Sequence, residues 1–130
     1  MREIAAPTGY RPPQHVTLRA GDVIAPGPWA ASAADRHLAA HPEELERYGV
    51  HARDWCVHDL QWLCLWAIMD VDGQALEFDA QLDWLARLLA ARGYPLGSLA
   101  DALDSLAEEL PDTLRDAAVR LRAGAQRVRP

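Results

Sequence analysis

Residues 51–69 constrain the fold more than any other part of this chain. Within them, the run from Leu63 to Met69 has no charged side chain and is apolar around the whole circumference of a helix. A helix that is apolar on every side has to be covered by other elements. The stretch therefore predicts a central helix, surrounded by further helices in an all-α bundle.

Proline and glycine residues divide the remaining chain into helical segments. Gly49, Gly73 and Gly93 follow helix-forming runs and are good helix ends, and Ser98 is placed to cap a later helix. Short connections make consecutive helices antiparallel neighbours. At 130 residues the chain suits one domain. The predicted antiparallel bundle of five to six helices occupies residues 29–130, with helices near 29–40, 42–48, 51–69, 74–92, 98–110 and 113–124.

Residues 1–28 are rich in proline and glycine, which disfavours helix. Val16 and Leu18 alternate with polar residues, and Gly21-Asp22 can turn the chain, so a small hairpin is predicted there. We expect the segment to form an extended N-terminal arm that packs against the bundle as a clasp. A partner-binding role for this arm is the alternative.

The distribution of acidic and basic residues along the chain indicates which classes of partner are favoured. All 13 basic residues are arginines, and the net charge is -6. Ten acidic residues lie between Asp70 and Asp112, whereas four arginines and no acid follow residue 116. An acidic body disfavours nucleic-acid binding. The basic tail fits a helix C-terminus, or pairing with the acidic region of a second copy.

Membrane insertion and export are not expected. The chain has no run of 18 apolar residues, so no transmembrane helix is predicted. Residues 1–7 lack the apolar core of a signal peptide, and we therefore expect a cytoplasmic location.

Three of the five tryptophans fall on one stripe of the helix over 51–69. At 100° per residue, Trp55, Trp62 and Trp66 lie within about 40° of one another. Such a stripe is either bundle core, or the wall of a pocket or subunit interface. If it is core, Trp62 and Trp66 should be the most buried tryptophans, because they lie in the apolar half of the helix.

Polar residues near this stripe add candidates for ligand or interface contacts. Asp59 leans toward the tryptophan face, and a buried carboxylate needs hydrogen bonds or a cation such as Arg87 or Arg92. The candidate ligand or interface residues are Trp55, His58, Asp59, Trp62, Trp66, Trp84 and Arg87.

Catalytic and metal sites are not predicted. Cys56 and His58 point about 160° apart on one helix and cannot form a dyad. Asp54 and His58 share a helix face, but two groups do not make a metal site. Cys56 and Cys64 would be about 12 Å apart along the axis, too far for a disulfide, and are expected to be buried thiols. Binding of haem or another tetrapyrrole, with His58 facing it, is the remaining cofactor alternative.

Several runs resemble small all-helical modules of bacterial sensory and regulatory proteins. These runs are His41-Pro42-Glu43-Glu44-Leu45-Glu46-Arg47-Tyr48-Gly49, Cys56 with Asp59-Leu60-Gln61-Trp62-Leu63, Phe78 with Leu82-Asp83-Trp84-Leu85, and Arg92-Gly93-Tyr94-Pro95. The resemblance covers about residues 40–110. It implies a helical bundle, including a globin-like arrangement without haem, found alone or beside cobalamin-binding domains. The Trp-(nine residues)-Glu-His motif of cobalamin photoreceptors is absent here, so cobalamin contact is not implied.

Two functions follow as expectations. The first is a non-enzymatic regulatory or protein-interaction module that self-associates, as a symmetric homodimer through the helices over 51–69 and 74–92. The second is a sensor that holds an apolar small molecule or a tetrapyrrole against the tryptophan stripe.

Overall fold

The computed structural model of the chain describes residues 11–130, and over that range it is an all-α bundle, as predicted. A two-stranded antiparallel sheet precedes the helices, and a short 3-10 turn, Asp112–Leu114, leads into the last one. The described helices are α1 (Gly27–Ala40), α2 (Glu43–Tyr48), α3 (Ala52–Val71), α4 (Phe78–Ala91), α5 (Leu96–Glu109) and α6 (Arg115–Val128).

Helix α3 lies at the centre of the bundle, as its apolar sequence predicts. It packs against α1 and α6, and α5 closes the layer by contacting both of those helices. The contact surfaces of the outer helices are built largely from alanine, which lets helix axes approach closely. The fully buried alanines are Ala30, Ala33 and Ala34 on α1, Ala100 on α5, and Ala117 and Ala125 on α6.

Helix α4 packs against α3, α5 and α6, and its contact with α6 is close at Gly124. A Cβ atom on Gly124 would lie 2.8 Å from Cε2 of Phe78 and 2.9 Å from Cδ2 of Leu82. The glycine therefore provides the slot into which α4 packs. The prediction that the last helix ends near Gly124 is wrong, because this residue is needed for close packing and α6 continues to Val128.

Two other helix starts differ from prediction. The Asp70 carboxylate accepts the backbone N–H of Phe78 at 2.6 Å, so α4 begins at Phe78 and not near residue 74. Ser98 does not cap α5. Its own N–H donates to the carbonyl of Pro95, which places Ser98 inside the first turn of that helix.

The described part of the N-terminal segment contains the predicted hairpin. Strands β1 (Val16–Thr17) and β2 (Val23–Ile24) pair antiparallel, and Gly21 takes a positive φ of 104° between them. Val16 enters the core, and the Gln61 side chain on α3 donates to the Pro13 carbonyl at 3.0 Å. Helix α1 already begins at Gly27, inside the expected arm. Residues 1–10 of that arm lie outside the described residues.

The basic tail pairs with acidic residues of the same chain. Arg127 makes a bidentate contact with Asp83 on α4, both distances being 2.8 Å. Arg129 contacts Asp101 at 3.1 Å and Asp104 at 2.9 Å on α5. Within one chain these two arginines thus already have acidic partners, and pairing of the basic tail with a second copy stays a prediction.

Candidate functional site

A long groove lies between α3 and α4, with a cavity volume of about 1650 Å³. We call it the tryptophan groove and define it by Trp55, Trp62 and Trp66 on α3 and by Trp84 and Leu88 on α4. Its volume exceeds the roughly 300–1,000 Å³ of most small-molecule pockets. The groove is therefore large enough for an extended occupant.

The spacing of the tryptophans explains why the groove exists. Positions 55, 62 and 66 share one helix face, which on α3 points toward α4. The Trp62 and Trp66 rings pack with their centroids 5.8 Å apart and tilted by 30°. Rings of this size on the side of α3 that faces α4 leave the two helices apart, whereas alanine brings the other helices close.

The stripe forms a groove wall and is not part of the fully buried core. Trp62 and Trp66 are only half-buried, like Trp29 and Trp55, so the expectation that they are more buried than the other tryptophans is not confirmed. Trp84 is 52% exposed at the groove rim. The buried part of this half of α3 consists instead of Leu63, Cys64, Leu65, Ala67 and Ile68.

The floor of the groove is apolar and belongs to the core. Leu60 and Leu63 of α3 meet Leu85 of α4 there, and Leu99 and Ala102 of α5 close the bottom. All five are buried. The apolar surface that an occupant would remove from water therefore belongs to the half-buried tryptophans and to Trp84 at the rim, and such burial is the main favourable term in association.

His58 and Asp59 both line the groove and contact each other. The His58 Nδ1–H donates to Asp59 Oδ1 at 3.1 Å, and the His58 ring stands edge-on to Trp55 at 5.4 Å between centroids. The predicted cation for Asp59, Arg87 or Arg92, is not its partner. Arg87 lies on the outer face of α4, away from the groove, and is the one candidate that the structure does not bring to it.

Two arginines line one end of the groove. Arg47 Nη2 donates to the Gly93 carbonyl at 3.4 Å, which places this guanidinium beside the residue that follows Arg92. The Arg47 side chain also covers the Tyr48 ring at 5.4 Å. Both arginines are exposed, and neither forms an ion pair among residues 11–130. This end is therefore a basic site, which the sequence analysis did not identify for Arg47.

A buried acid lies behind the same end. The Glu44 carboxylate accepts a hydrogen bond from the Tyr94 hydroxyl at 2.6 Å and another from Nε2 of His37, which is 1% exposed. We call these three residues the Glu44 cluster. Burial alone would raise the pKa of Glu44, but the hydrogen bonds from His37 and Tyr94 and the nearby histidine charges together hold it below its ordinary value.

The Glu44 cluster could not be predicted from the spacing of its residues in the sequence. His37 and Glu44 are seven residues apart in two different helices, and Tyr94 comes from the loop after α4. The chain reversal between α1 and α2 brings His37 to Glu44, and the loop after α4 brings Tyr94 to both. Burial also raises the pKa of Tyr94, and its hydrogen bond to Glu44 adds to that effect, so its hydroxyl stays protonated.

The remaining polar groups of the groove do not form a reactive centre. Burial raises the pKa of Cys56, which lines the groove, and of Cys64, each to about 12. Both thiols are thus protonated at neutral pH and are poor nucleophiles. Residues 11–130 hold no cluster of three or more His, Cys, Asp or Glu that could bind a metal ion. None of the helices in that range is long and apolar enough to cross a membrane.

No protein-family model, no curated protein and no solved structure matches the chain.

Proposed function

We propose that this protein is a non-enzymatic interaction module that binds an amphipathic helix of a partner protein in the tryptophan groove. The main support is the size and shape of that groove, which has an apolar floor, is walled mainly by tryptophan and leucine side chains, and has a volume of about 1650 Å³. Helix-in-groove recognition uses such a surface, with anchors on one face of the bound helix.

The length of the groove supports a helical occupant. Its lining on α3 extends from Ala52 to Trp66, fourteen residues apart, which is about 21 Å along the axis. That length accommodates about four turns of a second helix. Such a helix would present three or four apolar anchors to the tryptophans.

The charges at the groove end specify the orientation of the partner helix. Arg47 and Arg92 lie together at the end near α2 and form no ion pairs within the described range. A helix with acidic residues at that end would gain two charge contacts there. We therefore propose a partner whose helix is apolar along one face and acidic at one terminus.

The chemistry of the groove supports binding over catalysis. The thiol of Cys56 stays protonated at neutral pH. The Glu44 carboxylate is already engaged by two hydrogen bonds. No described residue in the groove combines a nucleophile with an adjacent base.

A pair of synthetic peptides tests this proposal. Both are four-turn helices with the same leucine and tryptophan face; one carries three glutamates at one terminus, and the other carries three lysines in their place. Binding is followed by two-dimensional NMR of the labelled full chain. We expect the acidic peptide to bind at least about tenfold more tightly and to shift the Trp55, Trp62 and Trp84 indole resonances.

Matched variants control this experiment. Arg92→Glu should reverse or abolish the preference for the acidic peptide, and Arg122→Glu, an exposed arginine of α6 outside the groove, should leave it unchanged. If neither peptide shifts the groove indoles at millimolar concentration, or if both bind equally at a site on α6, the interaction module is rejected.

A second candidate, the small-molecule sensor, is favoured by one observation at the basic end. The Tyr48 hydroxyl is buried beside the groove and has no hydrogen-bond partner within residues 11–130. A ligand with an apolar body and a polar head would satisfy it. A tetrapyrrole fits this description, with His58 in the groove wall as a candidate contact.

The absorption spectrum of the protein purified from its native host distinguishes the two candidates. A Soret or visible band that is lost in His58→Ala would support a tetrapyrrole sensor. A spectrum of tryptophan and tyrosine alone, with no small molecule released on denaturation as judged by mass spectrometry, would reject the sensor and leave the interaction module.

A further inference from the structure

A second surface follows the rim of the groove on α4: Ala80, Trp84 and Ala91 belong also to the groove lining, whereas Arg87 lies outside it. Ala80, Trp84, Arg87 and Ala91 recur at intervals of four, three and four residues, and all four are exposed. This spacing places them on one narrow seam along the helix. Trp84, at 52% exposed, is the largest apolar side chain on it.

The seam is complementary to itself when two copies of α4 run antiparallel. A two-fold axis midway between Leu85 and Ala86 sets Trp84 level with the partner subunit's Arg87, and Ala80 level with the partner subunit's Ala91. The two alanine pairs let the helix axes approach closely, and the guanidinium can stack on the indole face. Each of these contacts occurs twice, as two-fold symmetry requires.

In this arrangement, opposite charges from the two copies also come close beside the seam. Asp83 lies one turn before Arg87; the hydrogen bonds from Arg127 lower the pKa of its carboxyl most, and the charge of Arg87 adds to that lowering. Residues on the same side of two antiparallel helices face each other, so the partner subunit's Arg87 comes within one residue of the level of Asp83. Arg87 forms no ion pair in the described part of the chain, and its guanidinium is available for this contact.

The parallel alternative is disfavoured by the same residues. Parallel helices related by a two-fold axis would place Arg87 against the partner subunit's Arg87, with like charges at the centre of the seam. The antiparallel arrangement separates the two guanidinium groups and gives each an indole, with the Asp83–Arg127 ion pair beside it.

We propose that a second copy of this chain packs on the exposed rim of α4, where the two copies form an antiparallel two-fold dimer through Ala80, Trp84, Arg87 and Ala91. Because Ala80, Trp84 and Ala91 also line the groove, a second copy on this rim and a partner helix in the groove would compete for Trp84. One four-turn helix from each copy gives an interface below the standard size of about 1,600 Å², so the dimer is weak and reversible.

Sedimentation equilibrium of the full chain over about a hundredfold range of concentration tests self-association. We expect a monomer–dimer equilibrium that Trp84→Glu abolishes and Arg87→Glu weakens at least about tenfold. The matched control is Val119→Glu on α6, an apolar side chain that is 61% exposed, which should leave the association constant unchanged. Circular dichroism checks that each variant keeps its helix content.

Disulfide trapping tests the register. An equimolar mixture of Ala80→Cys and Ala91→Cys chains should form a mixed disulfide, whereas neither variant should cross-link alone. In this dimer, equivalent residues 80 lie about 16 Å apart along the axis, well beyond disulfide reach. The wild-type chain controls for Cys56 and Cys64, whose raised pKa values make them slow to react.

Two results would overturn the proposal. One is a monomer at every concentration for the wild-type chain. The other is a dimer in which Ala80→Cys or Ala91→Cys cross-links alone as readily as the mixture, because that requires a different register. Neither result would exclude peptide binding in the groove.

Discussion

The two sides of α3 differ in how closely a neighbouring helix packs against them. On one side, α1 and α6 approach α3 through fully buried alanines. On the other, Trp55, Trp62 and Trp66 line the tryptophan groove between α3 and α4. Helix α3 is thus closely packed where its neighbours present alanine, and it borders a groove where it presents its own tryptophans.

This contrast gives the alanine content a structural role. High alanine and arginine content is expected from GC-rich coding, and composition alone suggests nothing more. In the fold, however, alanine occupies the contact surfaces of α1, α5 and α6. The close packing on that side leaves the tryptophans no space there, so they can be accommodated only toward α4.

The two sides of α3 should differ most in the loss of unfolding free energy when a leucine is replaced by alanine. Leu103 on α5 is fully buried, so Leu103→Ala should lower the free energy of unfolding by about 2–5 kcal/mol through cavity formation. Leu88→Ala, on the groove wall and half-buried, should cost about 1 kcal/mol. Urea unfolding of both variants measures the contrast. Equal costs would show that the groove side is packed as tightly as the other.

The glycine slot between α4 and α6 provides the next test. Gly124→Ala should destabilise the protein by about 1–3 kcal/mol, although alanine favours helix, because the new methyl group meets Phe78 and Leu82. Gly97→Ala is the matched control, since nothing lies within 4 Å of the position that its new methyl group would take. We expect it to be neutral or stabilising by up to about 1 kcal/mol in thermal unfolding. A stable Gly124→Ala variant would mean that α4 is not held closely by α6.

The Glu44 cluster should make part of the stability depend on pH. Because the folded pKa of Glu44 lies below its ordinary value of 4.5, its contribution is fully present above that value. It is lost as pH falls from 4.5 through the folded pKa. Glu44→Gln should cost about 1–2 kcal/mol at pH 7, and the difference from wild type should shrink below pH 4.5.

Glu43→Gln is the control for this titration, because Glu43 is an exposed neighbour on the same helix. It should change stability little at either pH. Subtracting the two curves removes the effect of the other carboxyl groups whose pKa is lowered, such as Asp35 and Asp83. A difference for Glu44→Gln that stayed constant down to pH 2 would argue against a lowered pKa.

The smallest effect is expected for a tryptophan of the groove wall. Trp66→Ala should cost about 1 kcal/mol, well below the 3–5 kcal/mol of a tryptophan removed from a core. The side chain is half-buried and leaves an enlarged groove, not a sealed cavity. Chemical denaturation measures the loss, and a cost in the core range would place Trp66 with the packed side of α3.

Sequence patterns were sufficient to predict the central helix and the bundle. A helix that is apolar on every side has to be covered by other helices, so few other folds are possible. The breakers Gly49, Gly73 and Gly93 also act as predicted, each with a positive φ. Gly124 misled the prediction, because a glycine that ends a helix and one that accepts a packed neighbour look the same in sequence. Only the position of Phe78 across the interface distinguishes them.

The candidate site was predicted in part. The tryptophan stripe, with His58 and Asp59, follows from helical spacing and does line one groove. Arg47 and the Glu44 cluster could not be found this way, because they reach the groove only when α2 folds back and Tyr94 returns from the loop after α4. Contacts within one helix follow from periodicity, whereas contacts between distant segments depend on how the helices pack.

The Trp62–Trp66 pair has an optical consequence. Two indoles 5.8 Å apart and tilted by 30° are close enough for their electronic transitions to couple, which splits the ultraviolet circular dichroism into bands of opposite sign. The splitting depends on the angle and distance between the rings, and both rings lie in the groove wall. The protein thus carries a built-in chromophore pair whose signal changes when the wall moves, without any added label.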